Sequence, residues 1–265
     1  MHLKAVRYTP PHETARYPFN LPLLRAMGSL PFDNAVTFLV GENGTGKSTL
    51  LEALAVAAGS VTVGAESVLT DKTLGPARDL AKHLRLSWIK RTHRGFFLRS
   101  EDFFAFCKRL SEMRADLEVE LQNAEEEFSG RSILAKQLAT GPYRKSLHAL
   151  EQSYGKDLDA NSHGESFIKL FQARFVPDGL YILDEPETPL SPTRQLAFIA
   201  LMMEMVKQGC QFVVATHSPI LMAYPGAAII SLDELPPRPV AYGDLEHVRL
   251  TRAFLNDPAQ FLRHL

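Results

Sequence analysis

The chain has 265 residues, of which 45% are hydrophobic and 22% are charged, and its formal net charge is −1. This length and composition predict a folded chain with a sizeable core, and the near-neutral charge argues against the overall basic surface of a general nucleic-acid binder. Cys107 and Cys210 lie far apart in sequence, which indicates neither a disulfide framework nor a zinc site and fits a reducing cytoplasm.

No apolar run is long enough to span a bilayer, because His217, Pro219 and Pro225 interrupt the candidate between residues 212 and 232. The N-terminus also lacks the apolar run of a secretory signal. We therefore expect a cytoplasmic protein with no direct membrane insertion. Any role at a membrane then needs a partner that supplies the membrane part.

The first predicted element is an edge strand, because Leu3 to Tyr8 alternates apolar and polar side chains. Prolines then mark a segment of turns and short strands up to Pro31. Tyr8 and Tyr17 each have two interpretations: they pack within the fold, or they stack on an adenine ring near the loop that follows.

Residues 41–48 read Gly-Glu-Asn-Gly-Thr-Gly-Lys-Ser and match the phosphate-binding pattern G-x-x-x-x-G-K-[ST]. An apolar strand at 35–40 precedes this phosphate loop, and a run of helix-forming residues at 49–57 follows it. Glycines let the backbone point its N–H groups at phosphate oxygens, and the helix N-terminus adds a partial positive charge. We therefore expect Lys47 to reach the β and γ phosphates of a nucleotide and Ser48 to ligate Mg²⁺. The predicted nucleotide-binding residues of this segment are Gly41, Glu42, Asn43, Gly44, Thr45, Gly46, Lys47, Ser48 and Thr49.

A β-hairpin is predicted after a loop-rich stretch at 59–72. Its strands are residues 84–90 and 95–99, with a turn at 92–95 between them. Arginine and lysine side chains make the hairpin locally basic. This basic face is either a solvated strand surface or a surface for nucleic acid or a partner.

A helical lobe is predicted between about residues 101 and 160. Apolar side chains from Phe103 to Phe128 recur at spacings of three and four, which predicts one long amphipathic helix. Its apolar stripe either packs on its own domain or makes a short coiled-coil contact with another chain. Ile133 to Tyr154 is predicted as a second helical region, broken near Gly141-Pro142.

Two polar motifs follow the lobe. Residues Asn161 to Glu165 are predicted to form a small polar and glycine turn that opens a helix from Ser166 to Phe175, and such a turn is either a helix cap or an anion site.

The apolar strand predicted at 180–185 then ends in Asp184 and Glu185. Asp184 lies where a P-loop ATPase needs the carboxylate that holds Mg²⁺, and Glu185 is free to orient and deprotonate an attacking water. The alternative is an ordinary acidic turn.

His217 follows the next buried strand, residues 211–216. Ligands of open α/β sheets bind outside the carboxyl ends of the strands, so His217 is predicted to touch the γ-phosphate or the water. The alternative is a structural histidine. A last core strand at 228–232 and one or two C-terminal helices complete the predicted elements.

Taken in this order, the motifs resemble the ATP-binding cassette superfamily of P-loop ATPases over residues 36–231. The resemblance implies an α/β fold with a mainly parallel sheet core, an N-terminal antiparallel β part and an inserted helical lobe, all in a single domain over residues 1–265. It also implies that Ser162, Gly164 and Glu165 match the family's signature turn, although Asn161 and His163 depart from its pattern. His217 would match the family's switch histidine. The family's glutamine after the returning strand is not evident, and the resemblance implies that Glu101 would replace it as a metal ligand in that region.

Within the superfamily, the Asp-Glu-Pro-Glu run and the Ser-His-Gly-Glu-Ser turn are most similar to soluble, stand-alone AAA family ATPases related to the chromosome-maintenance, Rad50 and RecF type. That similarity implies a head-to-tail homodimer in which Ser162 and Gly164 of one subunit contact the γ-phosphate held by Lys47 of the other. The leading hypothesis is therefore an ATPase that uses ATP and Mg²⁺ to switch a dimer acting on DNA or another macromolecule.

Three other functions remain open at this point. One is the nucleotide-binding subunit of a membrane transporter, which needs a membrane partner. Another is a small-molecule kinase or a GTPase with the same loop, although the Asn-Lys-x-Asp guanine motif is absent from the sequence. The last is an ATP-controlled binding module that hardly hydrolyses.

Overall fold

Two β-sheets form the framework of the protein, and the computed structural model describes residues 1–63, 72–154 and 163–263. The strands are β1 (Leu3–Tyr8), β2 (Ser29–Pro31), β3 (Val36–Val40), β4 (Val61–Thr62), β5 (Leu84–Trp88), β6 (Phe96–Arg99), β7 (Leu180–Asp184), β8 (Gln211–Ala215), β9 (Ala228–Ser231) and β10 (Arg238–Pro239). The helices are α1 (Pro22–Ala26), α2 (Lys47–Ala58), α3 (Gly75–Ala81), α4 (Ser100–Glu127), α5 (Ile133–Tyr154), α6 (His163–Arg174), α7 (Pro192–Lys207), α8 (Pro219–Met222), α9 (Glu246–Asn256) and α10 (Pro258–Leu262).

The larger sheet has seven strands in the order β10-β9-β3-β8-β7-β6-β4. Its strands pair in parallel except at the edge, where β10 runs antiparallel to β9. Every residue of β3, β7 and β8 is buried, as expected for parallel strands that are covered on both faces. This mainly parallel sheet confirms the predicted α/β fold.

One core cluster lies on each face of the larger sheet. Alternate strand residues such as Leu39 and Ile182 join a cluster with α2 and the N-terminal segment. Their neighbours Phe38 and Leu183 join a second cluster with α4, α6 and α7. Aromatic rings fill much of this second cluster, and ring centroids of Phe167 and Phe171 are 4.6 Å apart. This packing places α4, α6 and α7 on the face of the sheet that carries Tyr181 and Leu183 of the acidic strand β7.

The smaller sheet is antiparallel, in the order β2-β1-β5. The prediction of an edge strand at 3–8 was wrong, because β1 pairs with a strand on each side. Buried Gln211 of β8 links this sheet to the larger one. Its Oε1 accepts the backbone N–H groups of His2 and Leu3 at 2.8 Å each, and its Nε2 donates to the Leu3 carbonyl at 2.9 Å.

The predicted hairpin at 84–99 was also wrong. β5 pairs with β1 in the smaller sheet, whereas β6 lies between β4 and β7 in the larger one. The burial of the two strands gives the physical reason. All four residues of β6 are buried, as a parallel core strand requires, while β5 is half exposed. The predicted turn at 92–95 therefore connects two strands that belong to different sheets.

The helical lobe consists of α4 and α5, which pack against each other. The amphipathic prediction for 103–128 is confirmed by α4, whose Phe103, Phe106 and Leu110 are buried in the domain core. The predicted break near Gly141-Pro142 was wrong, since α5 continues through Pro142. Packing along α4 compensates for the backbone hydrogen bond that a proline removes.

Candidate functional site

The candidate site lies at the carboxyl ends of four neighbouring strands of the larger sheet. The phosphate loop follows β3, Glu185 follows β7, His217 lies two residues after β8, and Asp233 lies two residues after β9. Because these strands are adjacent and parallel, their carboxyl ends meet at one edge of the sheet. The structure therefore brings together motifs that are up to 192 residues apart, as between Gly41 and Asp233.

The phosphate loop is folded around the ammonium group of Lys47. Gly46 has φ +98°, in the left-handed region that favours glycine, and it leads directly into α2. The buried Lys47 Nζ donates to the carbonyl oxygens of Gly41 and Glu42 at 2.6 and 2.8 Å. Burial lowers the pKa of Lys47, and the carboxylates of Glu185 and Asp184 oppose this fall. The loop thus holds a cation at the N-terminus of a helix, where anions bind.

Asp184 lies buried beside Ser48. Burial raises the pKa of Asp184 from 3.8 to about 7, and a hydrogen bond from the Ser48 side chain opposes the rise. Among the described residues, the buried Oδ1 atom of Asp184 has no hydrogen-bond partner. Mg²⁺ takes oxygen ligands and is bound in proteins by one or two carboxylates together with substrate phosphates. A hydroxyl beside a buried, incompletely satisfied carboxylate fits this ion.

Glu185 leaves the strand in an unusual conformation. Its φ is +49°, which is uncommon for a residue other than glycine, and its N–H donates to the Ala215 carbonyl at 2.9 Å. The carboxylate is partly exposed, and its Oε1 atom lies 3.9 Å from His217 Nε2. Strained backbone of this kind clusters at functional sites. The predicted base and the predicted histidine are therefore side by side.

Two acidic residues of this site were not singled out from the sequence. Asp233 Oδ1 accepts the N–H of Glu42 in the phosphate loop at 2.6 Å. Glu187 Oε1 accepts the N–H of His217 at 2.7 Å. The sequence could have identified Asp233, because it follows a predicted core strand whose carboxyl end lies at the same sheet edge. For Glu187, the sequence offered only its place in an acidic run.

The described part of the signature-like turn, residues 163–165, lies against α7 and the segment before it. Ser162 and Asn161 are outside the described residues, and α6 begins at His163. A Cβ on Gly164 would stand 2.6 Å from Arg194 Cδ and 2.9 Å from the Pro189 carbonyl oxygen, so only glycine fits this approach. Glu165 pairs with Lys169 at 3.0 Å and with Arg194 at 3.4 Å. These polar contacts lie on α6 and α7 and not on the phosphate loop.

Glu101 lies at the start of α4, with its side chain largely exposed and 3.3 Å from Arg99 Nη1. The guanidinium of Arg99 also binds Asp102 through two bonds of 2.9 Å and contacts Glu52 of α2 at 3.4 Å. Burial raises the pKa of Glu52, and Arg99 opposes the rise. The metal role of Glu101 stays a prediction. The ion pairs join the root of α4 to the helix that follows the phosphate loop.

Tyr17 lies beside the first turn of α2, where its hydroxyl is 2.8 Å from Thr49 Oγ1. Its ring is more than half exposed. Within residues 1–63, 72–154 and 163–263, no group of three or more histidine, cysteine or acidic side chains is placed to hold a metal ion. In the same ranges, no helix has the length and hydropathy needed to cross a bilayer.

Comparisons with known proteins agree with the P-loop motifs. One family model, described as an AAA domain, putative AbiEii toxin, Type IV TA system, matches residues 111–223, and another, described as an AAA domain, matches residues 26–83. A putative ABC transporter ATP-binding protein from Methanosarcina acetivorans is 30% identical over 216 residues, which cover 79% of this chain and 72% of that protein.

Solved structures that align with this chain include a nucleotide-free ATP-binding cassette from an ABC transporter. It has a TM-score of 0.47 and 17% identity, covering 97% of this chain and 96% of that one. Another is the Smc head domain with an extended coiled coil bound to the C-terminal domain of ScpA, from Pyrococcus furiosus. It has a TM-score of 0.43 and 12% identity, covering 96% of this chain and 99% of that one.

Proposed function

Because this chain belongs to the ATP-binding cassette type of P-loop ATPases, we propose that it binds ATP with Mg²⁺ and hydrolyses the ATP to ADP and phosphate. The observation that carries this proposal is the meeting of four groups at one sheet edge. These are the Lys47 ammonium, the Ser48–Asp184 pair, the Glu185 carboxylate and the His217 imidazole.

In this proposal, residues 41–49 bind the phosphates. Lys47 exchanges its two carbonyl contacts for β and γ phosphate oxygens, and the backbone N–H groups at the start of α2 face the same anion. Ser48 and Asp184 hold Mg²⁺, with Glu101 as a further candidate ligand. The ion neutralises charge that develops on the phosphate oxygens.

Glu185 orients the attacking water and takes its proton, and His217 lies on the γ-phosphate side of that water. The 3.9 Å between Glu185 Oε1 and His217 Nε2 supports these roles, because both groups then face one small volume. The backbone conformation of Glu185 turns its carboxylate away from the core, so it stays accessible to solvent.

The whole chain acts in this proposal as one domain that forms an ATP-dependent, head-to-tail homodimer. In the described part of the chain, Gly164 and Glu165 contact Pro189, Lys169 and Arg194, none of which belongs to the phosphate loop, and this supports the arrangement. In it, Ser162, Gly164 and Glu165 of one subunit complete the site of the other. ATP contacts both subunits, whereas ADP lacks the γ-phosphate link, so the nucleotide state biases association. The dimer would act on DNA or another macromolecule, in the manner of the chromosome-maintenance type.

A second candidate is the nucleotide-binding subunit of a transporter. The observation that favours it is the similarity to a protein described as an ABC transporter ATP-binding protein. This candidate needs a membrane protein that docks near the root of the helical lobe, at residues 99–106. Co-purification with a membrane protein distinguishes it from the stand-alone ATPase.

The test of the proposed function is phosphate release and nucleotide binding by the wild type, Lys47→Ala and Glu185→Gln, with Lys108→Ala on the exposed face of α4 as the control. We expect Lys47→Ala to lose nucleotide binding and Glu185→Gln to keep binding but lose turnover. Unchanged turnover in Glu185→Gln would remove Glu185 as the base. A wild type that binds ATP tightly with no turnover would instead indicate an ATP-controlled binding module.

A further inference from the structure

The Glu187 side chain connects the loop after β7 to the residues after β8. Its Oε1 accepts the His217 N–H at 2.7 Å, and its carboxylate also accepts a hydrogen bond from the Thr216 side chain. The Thr216 hydroxyl oxygen in turn accepts the Ser218 N–H at 3.0 Å. One carboxylate thus holds His217 directly and Ser218 through Thr216.

The environment of Glu187 differs from that of a surface acid. Burial raises its pKa, and hydrogen bonds from Thr216 and His217 oppose the rise. Its Oε2 atom is buried with no hydrogen-bond partner, and no ion pair involves Glu187 in the described parts of the chain. Burying a carboxylate without a cation costs free energy. We therefore attribute the burial of the Glu187 side chain to the hydrogen bonds that it accepts from Thr216 and His217.

A second connection keeps the same two segments together. Gln195 of α7 donates from Nε2 to the Leu190 carbonyl at 3.1 Å, and the Ser218 hydroxyl donates to Gln195 Oε1. In addition, the Glu185 N–H donates to the Ala215 carbonyl at 2.9 Å. The backbone of Glu185 and the backbone of His217 are thus fixed relative to each other on both sides.

We propose that Glu187 is a positioning residue that sets the separation between the Glu185 carboxylate and the His217 imidazole, acting through the His217 N–H and the Thr216 hydroxyl. The inference rests on the proposed ATP hydrolysis. Glu187 does not touch the reacting atoms. Catalytic groups need to be held within about 0.5 Å of their working geometry, and a misplacement of about 1 Å costs up to about 100-fold in rate.

The kinetic test compares Glu187→Ala, Glu187→Gln and Thr216→Val, with Glu204→Ala on the exposed side of α7 as the matched control. Alanine removes both accepted bonds, so we expect kcat to fall by about 10- to 100-fold. KM for ATP should change by less than about threefold, because no contact with the phosphate loop is lost. Glutamine keeps an acceptor oxygen and should restore most of kcat. Valine at 216 removes only the hydroxyl bond and should give an intermediate kcat.

Amide hydrogen exchange at His217 in the nucleotide-free protein provides a readout that is independent of turnover. The bond to Glu187 protects this N–H, so exchange should accelerate about tenfold or more in Glu187→Ala and stay close to the wild type in Glu187→Gln. Wild-type kcat and wild-type exchange at His217 in Glu187→Ala would overturn the proposal, as would equal losses in Glu187→Ala and Glu187→Gln. If the wild type shows no hydrolysis, the proposed function fails. Slow exchange at His217 in Glu187→Ala would then separately refute the structural role of Glu187.

Discussion

Asp184→Asn is expected to stabilise the nucleotide-free protein while it removes the proposed metal ligand. Burial raises the pKa of Asp184 from 3.8 to about 7, so the folded protein binds its proton more tightly than the unfolded chain does. This proton binding contributes fully to the free energy of unfolding below pH 3.8, and the contribution is lost as the pH rises through about 7. At pH 8 the wild type therefore holds a buried carboxylate whose charge the Lys47 ammonium offsets only in part.

The magnitude follows from the same pKa. A rise from 3.8 to about 7 corresponds to about 4 kcal/mol, because each pKa unit is worth about 1.4 kcal/mol. Relaxation and water entry lower the cost of buried charge in real interiors. We therefore expect Asp184→Asn to increase the free energy of unfolding at pH 8 by about 2 to 4 kcal/mol, and by progressively less as the pH falls toward 4.

Urea denaturation at several pH values, without nucleotide or Mg²⁺, measures this difference. Asp116→Asn, on the exposed face of α4, is the control for the loss of one negative charge. Adding Mg-ATP should stabilise the wild type more than Asp184→Asn, because only the wild type offers the carboxylate to the ion. An Asp184→Asn protein that is no more stable than the wild type at pH 8 would refute the reasoning.

Three further predictions concern the dimer and the fold. Glu185→Gln should have twice the monomer mass by light scattering in Mg-ATP and the monomer mass in Mg-ADP, and the monomer mass in both would contradict the head-to-tail dimer. Gly164→Ala should lower ATP-dependent dimerisation and leave nucleotide binding by the monomer intact, because the added Cβ would lie 2.9 Å from the Pro189 carbonyl oxygen and displace the start of α6. Gly130→Ala, which has open space around its Cβ, is the control. Gln211→Leu should lower the free energy of unfolding by about 2 to 4 kcal/mol in urea denaturation, because the buried N–H groups of His2 and Leu3 lose their acceptor. Exposed Gln152→Leu should change stability by less than about 0.5 kcal/mol.

The central site motifs could be recognised from the sequence because each is local. The phosphate loop needs only a strand, a glycine-rich turn and a helix in succession, and Asp184 and Glu185 end an apolar strand. Their meeting at one edge follows from parallel strand order. The strand order, in which β3 lies beside β8 and not β7, places His217 next to both motifs.

The errors came from contacts between residues that are distant in sequence. Whether residues 84–99 form a hairpin depends on β1 and β7, which lie far away along the chain and draw β5 and β6 into different sheets. The continuity of α5 through Pro142 depends on its packing against α4. The role of Glu187 depends on a backbone N–H 30 residues away. Periodicity and turn propensity contain no information about such pairings.

The ion pairs around Arg99 have a mechanical consequence. They join α2, the helix that follows the phosphate loop, to the root of α4, which has 28 residues. At about 1.5 Å per residue, α4 is a lever about 42 Å long. A rotation of about 10° at Arg99 would move its far end by about 7 Å. A small rotation of the root of α4, which Arg99 links to α2, would therefore be amplified along the length of the lobe.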